Sequence, residues 1–145
     1  VSSAPQIRYP DCYGIDMAKL EGLIAFKAAL ELLKERNLYH IVEDVYKKCK
    51  AQEHLKDSEI SNAVIEIYRP FEPQEISDKI ATMLSSSEIK AEVKIIFQSI
   101  EDLHIACPKN LGDWYFTGDY PTPGGNRVVN KAFMNFYEGK DARAY

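Results

Sequence analysis

The densest run of chemically capable residues lies near the start of the chain, in Ile7-Arg8-Tyr9-Pro10-Asp11-Cys12-Tyr13-Gly14-Ile15-Asp16-Met17. It carries a carboxylate at Asp16, a phenol at Tyr13 and a thiol at Cys12. Pro5 and Pro10 fix φ and bias the residues before them to extended backbone, while Gly14 allows a turn that costs other residues more. The stretch reads as a shaped loop. Asp16 stands where a side-chain oxygen would cap the next helix, and Tyr13 can pack against it.

Farther along, Glu101-Asp102 are adjacent acids after a β-branched run, but Leu103-His104-Ile105 follows in place of a Gly-rich turn that could hold phosphate. They read as helix N-terminal charges that favour the macrodipole. Trp114, Tyr115, Phe116 and Tyr120 form an aromatic group able to stack a base or, more simply, to pin a long loop to the core. Gly124-Gly125-Asn126-Arg127 has the composition of an anion-binding nest. Cys12, Cys49 and Cys107 show no C-x-x-C spacing, and His40, His54 and His104 are scattered, so no metal site and no disulfide are expected.

The elements that position these residues are mainly helical. Leu20, Leu23, Ile24, Leu30 and Leu33 recur at helical spacing between Met17 and Arg36, and Asn37 permits a break. Leu38, Ile41, Val42, Val45, Tyr46 and Cys49 make a second stripe. Ser58 can cap a third helix carrying Ile60, Val64, Ile67 and Tyr68, which Pro70 stops. Pro73 suits a first helical position, and Ile76, Ile80, Met83 and Leu84 mark the fourth helix. Val93 to Gln98 is the best strand, rich in β-branched and aromatic residues, and it pairs on this reading with residues near Val1 to Ser3. Ser99 and Asp102 cap a helix through Cys107, closed by Pro108. Asn126 can cap a last helix with Val129, Ala132, Phe133 and Phe136 on its apolar face.

Composition bounds the function. The 145 residues are 46% apolar and 28% charged with a net charge of -4, which suits one globular domain and argues against a nucleic-acid binder. The odd cysteine count fits a reducing cytosol, no apolar run approaches membrane-spanning length, and a cytoplasmic location follows as the expectation.

Ser3-Ala4-Pro5, Pro10 and Tyr13-Gly14-Ile15-Asp16-Met17 together resemble a signature of the amidophosphoribosyltransferase family (glutamine phosphoribosylpyrophosphate amidotransferase). Two later stretches agree: Glu75-Ile76 through Ile95-Ile96-Phe97-Gln98-Ser99-Ile100-Glu101-Asp102-Leu103 is similar to the family's helix, strand and helix, and Phe116-Thr117-Gly118-Asp119-Tyr120-Pro121-Thr122 resembles its near-terminal Thr-Gly-x-Tyr-Pro-Thr. Lys34 to Pro73 has no counterpart and reads as a helical insertion within a single 1–145 domain.

The resemblance implies the C-terminal part of a type I phosphoribosyltransferase-like domain, an α/β fragment of about six helices and one or two strands. It implies an enzyme that moves ammonia from glutamine onto phosphoribosyl pyrophosphate to begin purine synthesis, with magnesium in the intact enzyme. Tyr13 and Asp16 become the expected substrate-binding residues. No catalytic residue is expected in this chain, because the family's phosphate loop and its amino-terminal cysteine nucleophile have no match. Where some members ligate an iron–sulfur cluster this chain has Asp11, Gly112 and Tyr115, so no cluster is expected. The partners implied are the remainder of the same enzyme and, when intact, further copies of it. The alternative is a free-standing helical interaction or regulatory module of the same ancestry.

Overall fold

In the computed structural model, which describes residues 4–10, 19–109 and 112–144, the core is organised around one helix, α1 (Ile24–Glu35). Then come α2 (His40–Gln52), α3 (Ile65–Tyr68), α4 (Pro73–Leu84), α5 (Ile100–Ala106), α6 (Trp114–Thr117) and α7 (Pro123–Tyr137), with 3-10 turns at Leu20–Gly22 and Asp57–Glu59. Among the described residues there is no strand.

The strong helix formers of α1 bury Ala25, Phe26, Ala28, Ala29, Leu30, Leu32 and Leu33, a wider face than one packing partner requires. Accordingly α4 and α3 both lie against it. Asn37 ends the helix in a left-handed conformation, φ 59°, and the Leu38 N–H returns to the Leu33 carbonyl at 2.8 Å. α2 buries Val42, Val45 and Cys49 and packs on α7 and α3. Phe133 and Phe136 of α7 meet Phe26 edge-on, with ring centroids 6.2 and 4.9 Å away. Beyond α7 the chain turns back, and the buried Asn135 amide donates to the carbonyls of Ala142 and Arg143 at 3.2 and 3.3 Å.

The helical character and several end signals match expectation. Pro73 is the first residue of α4, Ser99 caps α5 by accepting the Asp102 N–H at 3.0 Å, and α5 stops before Pro108. Other expectations need correction. Val93 to Gln98 is not a strand and forms no ladder among the described residues; the Gln98 N–H reaches the Ala4 carbonyl at 3.2 Å, and the expected partner, Val1 to Ser3, lies outside the described residues. Its alternation still sets Ile95 and Phe97 on the core while Ile96 is exposed, so the sequence pattern reports facing rather than pairing.

The third stripe is helical only at Ile65–Tyr68. The backbone before it is held by side chains: Gln52 Oε1 accepts the Ser61 N–H, and Asn130 Oδ1 accepts the Ala63 N–H. α7 starts at Pro123 rather than after Asn126, whose amide instead donates to the Ile60 carbonyl at 2.9 Å. Finally, the 34–73 segment, read from the sequence as a helical insertion, supplies part of the core. Val42, Val45, Val64, Ile67 and Tyr68 belong to the same buried cluster as Phe26 and Phe133.

Candidate functional site

The opening loop is gripped by residues from the far end of the chain. Extended backbone after Pro5 leaves N–H groups without helical partners. The amides of Arg8 and Tyr9 both donate to the Tyr115 carbonyl, at 2.8 and 3.1 Å. Tyr120 Oη donates to the Pro10 carbonyl at 2.6 Å, and Tyr68 Oη donates to the Arg8 carbonyl at 2.5 Å.

Two glycines make the close approach possible. Gly118 ends α6 at φ 81°, and a Cβ there would fall 2.8 Å from Asn62 Nδ2 and 2.9 Å from Tyr9 Cζ. Asn62 uses that proximity, donating to the Gly118 carbonyl at 3.0 Å. A Cβ on Gly125 would meet Tyr120 Cβ at 2.6 Å. The clasp thus joins α3, α6 and the start of α7 to the opening loop, with Tyr9 edge-on to Tyr68 at 5.3 Å.

Electrostatics decide what the clasp can do. Burial raises the Tyr9 phenol well above its ordinary value, with the Arg8 charge opposing and Asp119 adding to the shift. Burial does the same at Tyr68. Both phenols stay neutral across the physiological range, unsuited to exchange protons with a substrate. The Cys49 thiol is pushed up to about 12 by burial, which removes it as a nucleophile. The geometry holds backbone in place and leaves proton transfer to other groups.

Tyr13 and Asp16, with Asp11 and Cys12, lie outside the described residues, so the expected substrate contacts fall on a segment bracketed by Pro10 and Lys19. The aromatic group is brought together: the Trp114 and Tyr115 rings lie 5.2 Å apart and those of Tyr115 and Phe116 6.2 Å apart, with Tyr120 bonded to the loop. It pins the loop. Gly124 and Gly125 lie inside α7, and Arg127 bonds Asp57 Oδ1 at 2.6 Å and the Glu53 and Leu55 carbonyls, so that stretch is a structural clamp. Glu101 and Asp102 occupy the first turn of α5.

All three histidines are exposed, and His104 Nε2 lies 2.7 Å from Asp113 Oδ2. No group of three His, Cys, Asp or Glu among the described residues is placed to hold a metal. No helix of the described residues is long and apolar enough to cross a membrane.

Sequence reasoning missed Gln6, Asn62 and Asn130. Each bonds a partner 56 to 71 residues away, and no spacing within the sequence announces such bonds. No family model matches the chain, and neither a curated protein nor a solved structure matches it.

Proposed function

We propose that the chain is the C-terminal segment of an amidophosphoribosyltransferase, in which it acts as scaffold and presents the loop bearing Tyr13 and Asp16 to phosphoribosyl pyrophosphate. One observation carries the reading. Two of the stretches that carry the resemblance, the opening one from Ser3 to Met17 and Phe116 to Thr122, lie about a hundred residues apart in sequence yet meet where they are described, Tyr120 Oη bonding the Pro10 carbonyl across 110 positions. Chance resemblance in two separate segments gives no reason for them to meet.

The chain's own groups fix backbone rather than react. Transfer to phosphoribosyl pyrophosphate requires a held diphosphate, a positioned ribose and stabilised leaving-group charge. In this reading the rest of the enzyme supplies the glutaminase centre, the phosphate loop and magnesium, in the cytoplasm and as a homo-oligomer.

The test is the product of the full source reading frame. It should form phosphoribosylamine from glutamine and phosphoribosyl pyrophosphate, and Asp16→Asn should raise KM for phosphoribosyl pyrophosphate without changing glutamine hydrolysis. The 145-residue chain alone should do neither reaction. Turnover by that chain, abolished by Asp16→Ala, would replace the scaffold reading with a catalytic one; absence of both activities from the full product would end it.

A further inference from the structure

Beside the opening loop lies a groove of about 400 Å³, walled by the loop itself, the start of α4 and the segment leading into α5. Arg8 stands on its wall. The guanidinium is held by Gln6, whose Oε1 accepts from Arg8 Nε at 3.1 Å and Nη2 at 2.8 Å. Gln6 is itself 5% exposed and fixed, its amide donating to the Pro73 carbonyl at 2.6 Å and to Ser77 Oγ at 2.8 Å. Tyr68 lies beneath the guanidinium, 5.4 Å from ring centroid to Cζ.

This is an orienting chain that ends on a cation. Lys19, Lys34, Arg36, Lys48 and Arg127 all meet carboxylates, but Arg8 has no carboxylate partner among the described residues. Of five guanidinium N–H groups, the Gln6 contact uses two, leaving a fork suited to two oxygens of one anion. Phe97, Ile100 and Pro5 add apolar wall, whereas Glu72 and Glu101 also line the groove and oppose a second negative charge.

We infer that this groove binds a small organic monocarboxylate, its carboxylate forked on Arg8 and its apolar body against Phe97 and Ile100. The site shares Arg8 and Tyr68 with the clasp, using the Arg8 side chain where the clasp uses its backbone, and is independent of the proposed enzyme identity. The two acids set the selectivity: a singly charged carboxylate is accepted, and a phosphate dianion is repelled.

The test is titration of the chain with benzoate and with inorganic phosphate at low ionic strength, followed by amide chemical shifts. Benzoate should move resonances of Arg8, Phe97 and Ile100 with an affinity on the order of millimolar. Arg8→Met should weaken benzoate by about tenfold or more, as expected for losing a charge-assisted fork. Glu101→Gln, an exposed change on α5 that leaves the Arg8 assembly intact, should strengthen phosphate binding relative to benzoate. Benzoate shifts that avoid the groove, no benzoate binding, or a wild-type preference for phosphate that Glu101→Gln does not alter would each overturn the inference.

Discussion

Gly118 occupies a backbone conformation in which a side chain is both strained and without room. Gly118→Val should cost roughly 2–4 kcal/mol, from the positive φ and the collision with Tyr9 and Asn62, read as a lowered urea midpoint. Asn130 is a second such residue. Its buried amide accepts the Ala63 N–H at 3.1 Å and donates to the Ser61 carbonyl at 2.9 Å. Asn130→Ala strands both groups, and a loss of about 2–4 kcal/mol is expected in the same measurement. Glycine favours turns wherever it stands, and Gly118 makes one, whereas nothing local distinguishes Asn130 from any polar residue on a helix. The difference is physical: a turn is a local preference, whereas a clamp depends on which distant backbone arrives unpaired.

At the scale of elements, local chemistry located α4 and α5 well, because Pro73 and Ser99 act on their own helices. It located α3 and α7 poorly, because bonds from Gln52, Asn126 and Asn130 decide the backbone between residues 60 and 64. The 93–98 segment shows the same limit, since β-branched content specifies alternation but a ladder needs an edge to meet. With one backbone bond among the described residues, from Gln98 to Ala4, the amides of this segment should exchange with deuterium much faster than those of α1, and α1 should exchange only by global unfolding. Protection in 93–98 equal to that of α1 would contradict this ordering. The 34–73 helices make a related point. A complete apolar stripe says that a helix buries one face, not whether it covers an existing core or builds it. Removing residues 34–73 deletes Val42, Val45, Val64 and Ile67 from the central cluster, so the expected result is loss of the cooperative thermal transition.

For the whole molecule, stability should fall on the alkaline side. Cys49, Tyr9 and Tyr68 all have raised values in the folded chain, so the folded state holds protons that the unfolded state releases. Their contribution is complete below pH 9. It is lost as pH rises, from about 9 to 12 for Cys49 and from about 10 upward for the tyrosines. Each group steepens the fall by about 1.4 kcal/mol per pH unit within its window, and Cys49→Ala should flatten the curve between pH 9 and 10 whatever its effect on stability at pH 7. The clasp carries a different consequence, one of timing. Residues 4–10 leave the ribosome before nearly everything they bond to, and the Pro10 carbonyl has to await a tyrosine made 110 residues later. During most of its synthesis the chain therefore exposes its opening segment to proteases and chaperones. Nascent chains stalled before Tyr115 should be cut there readily, and chains stalled well beyond Tyr120 should resist.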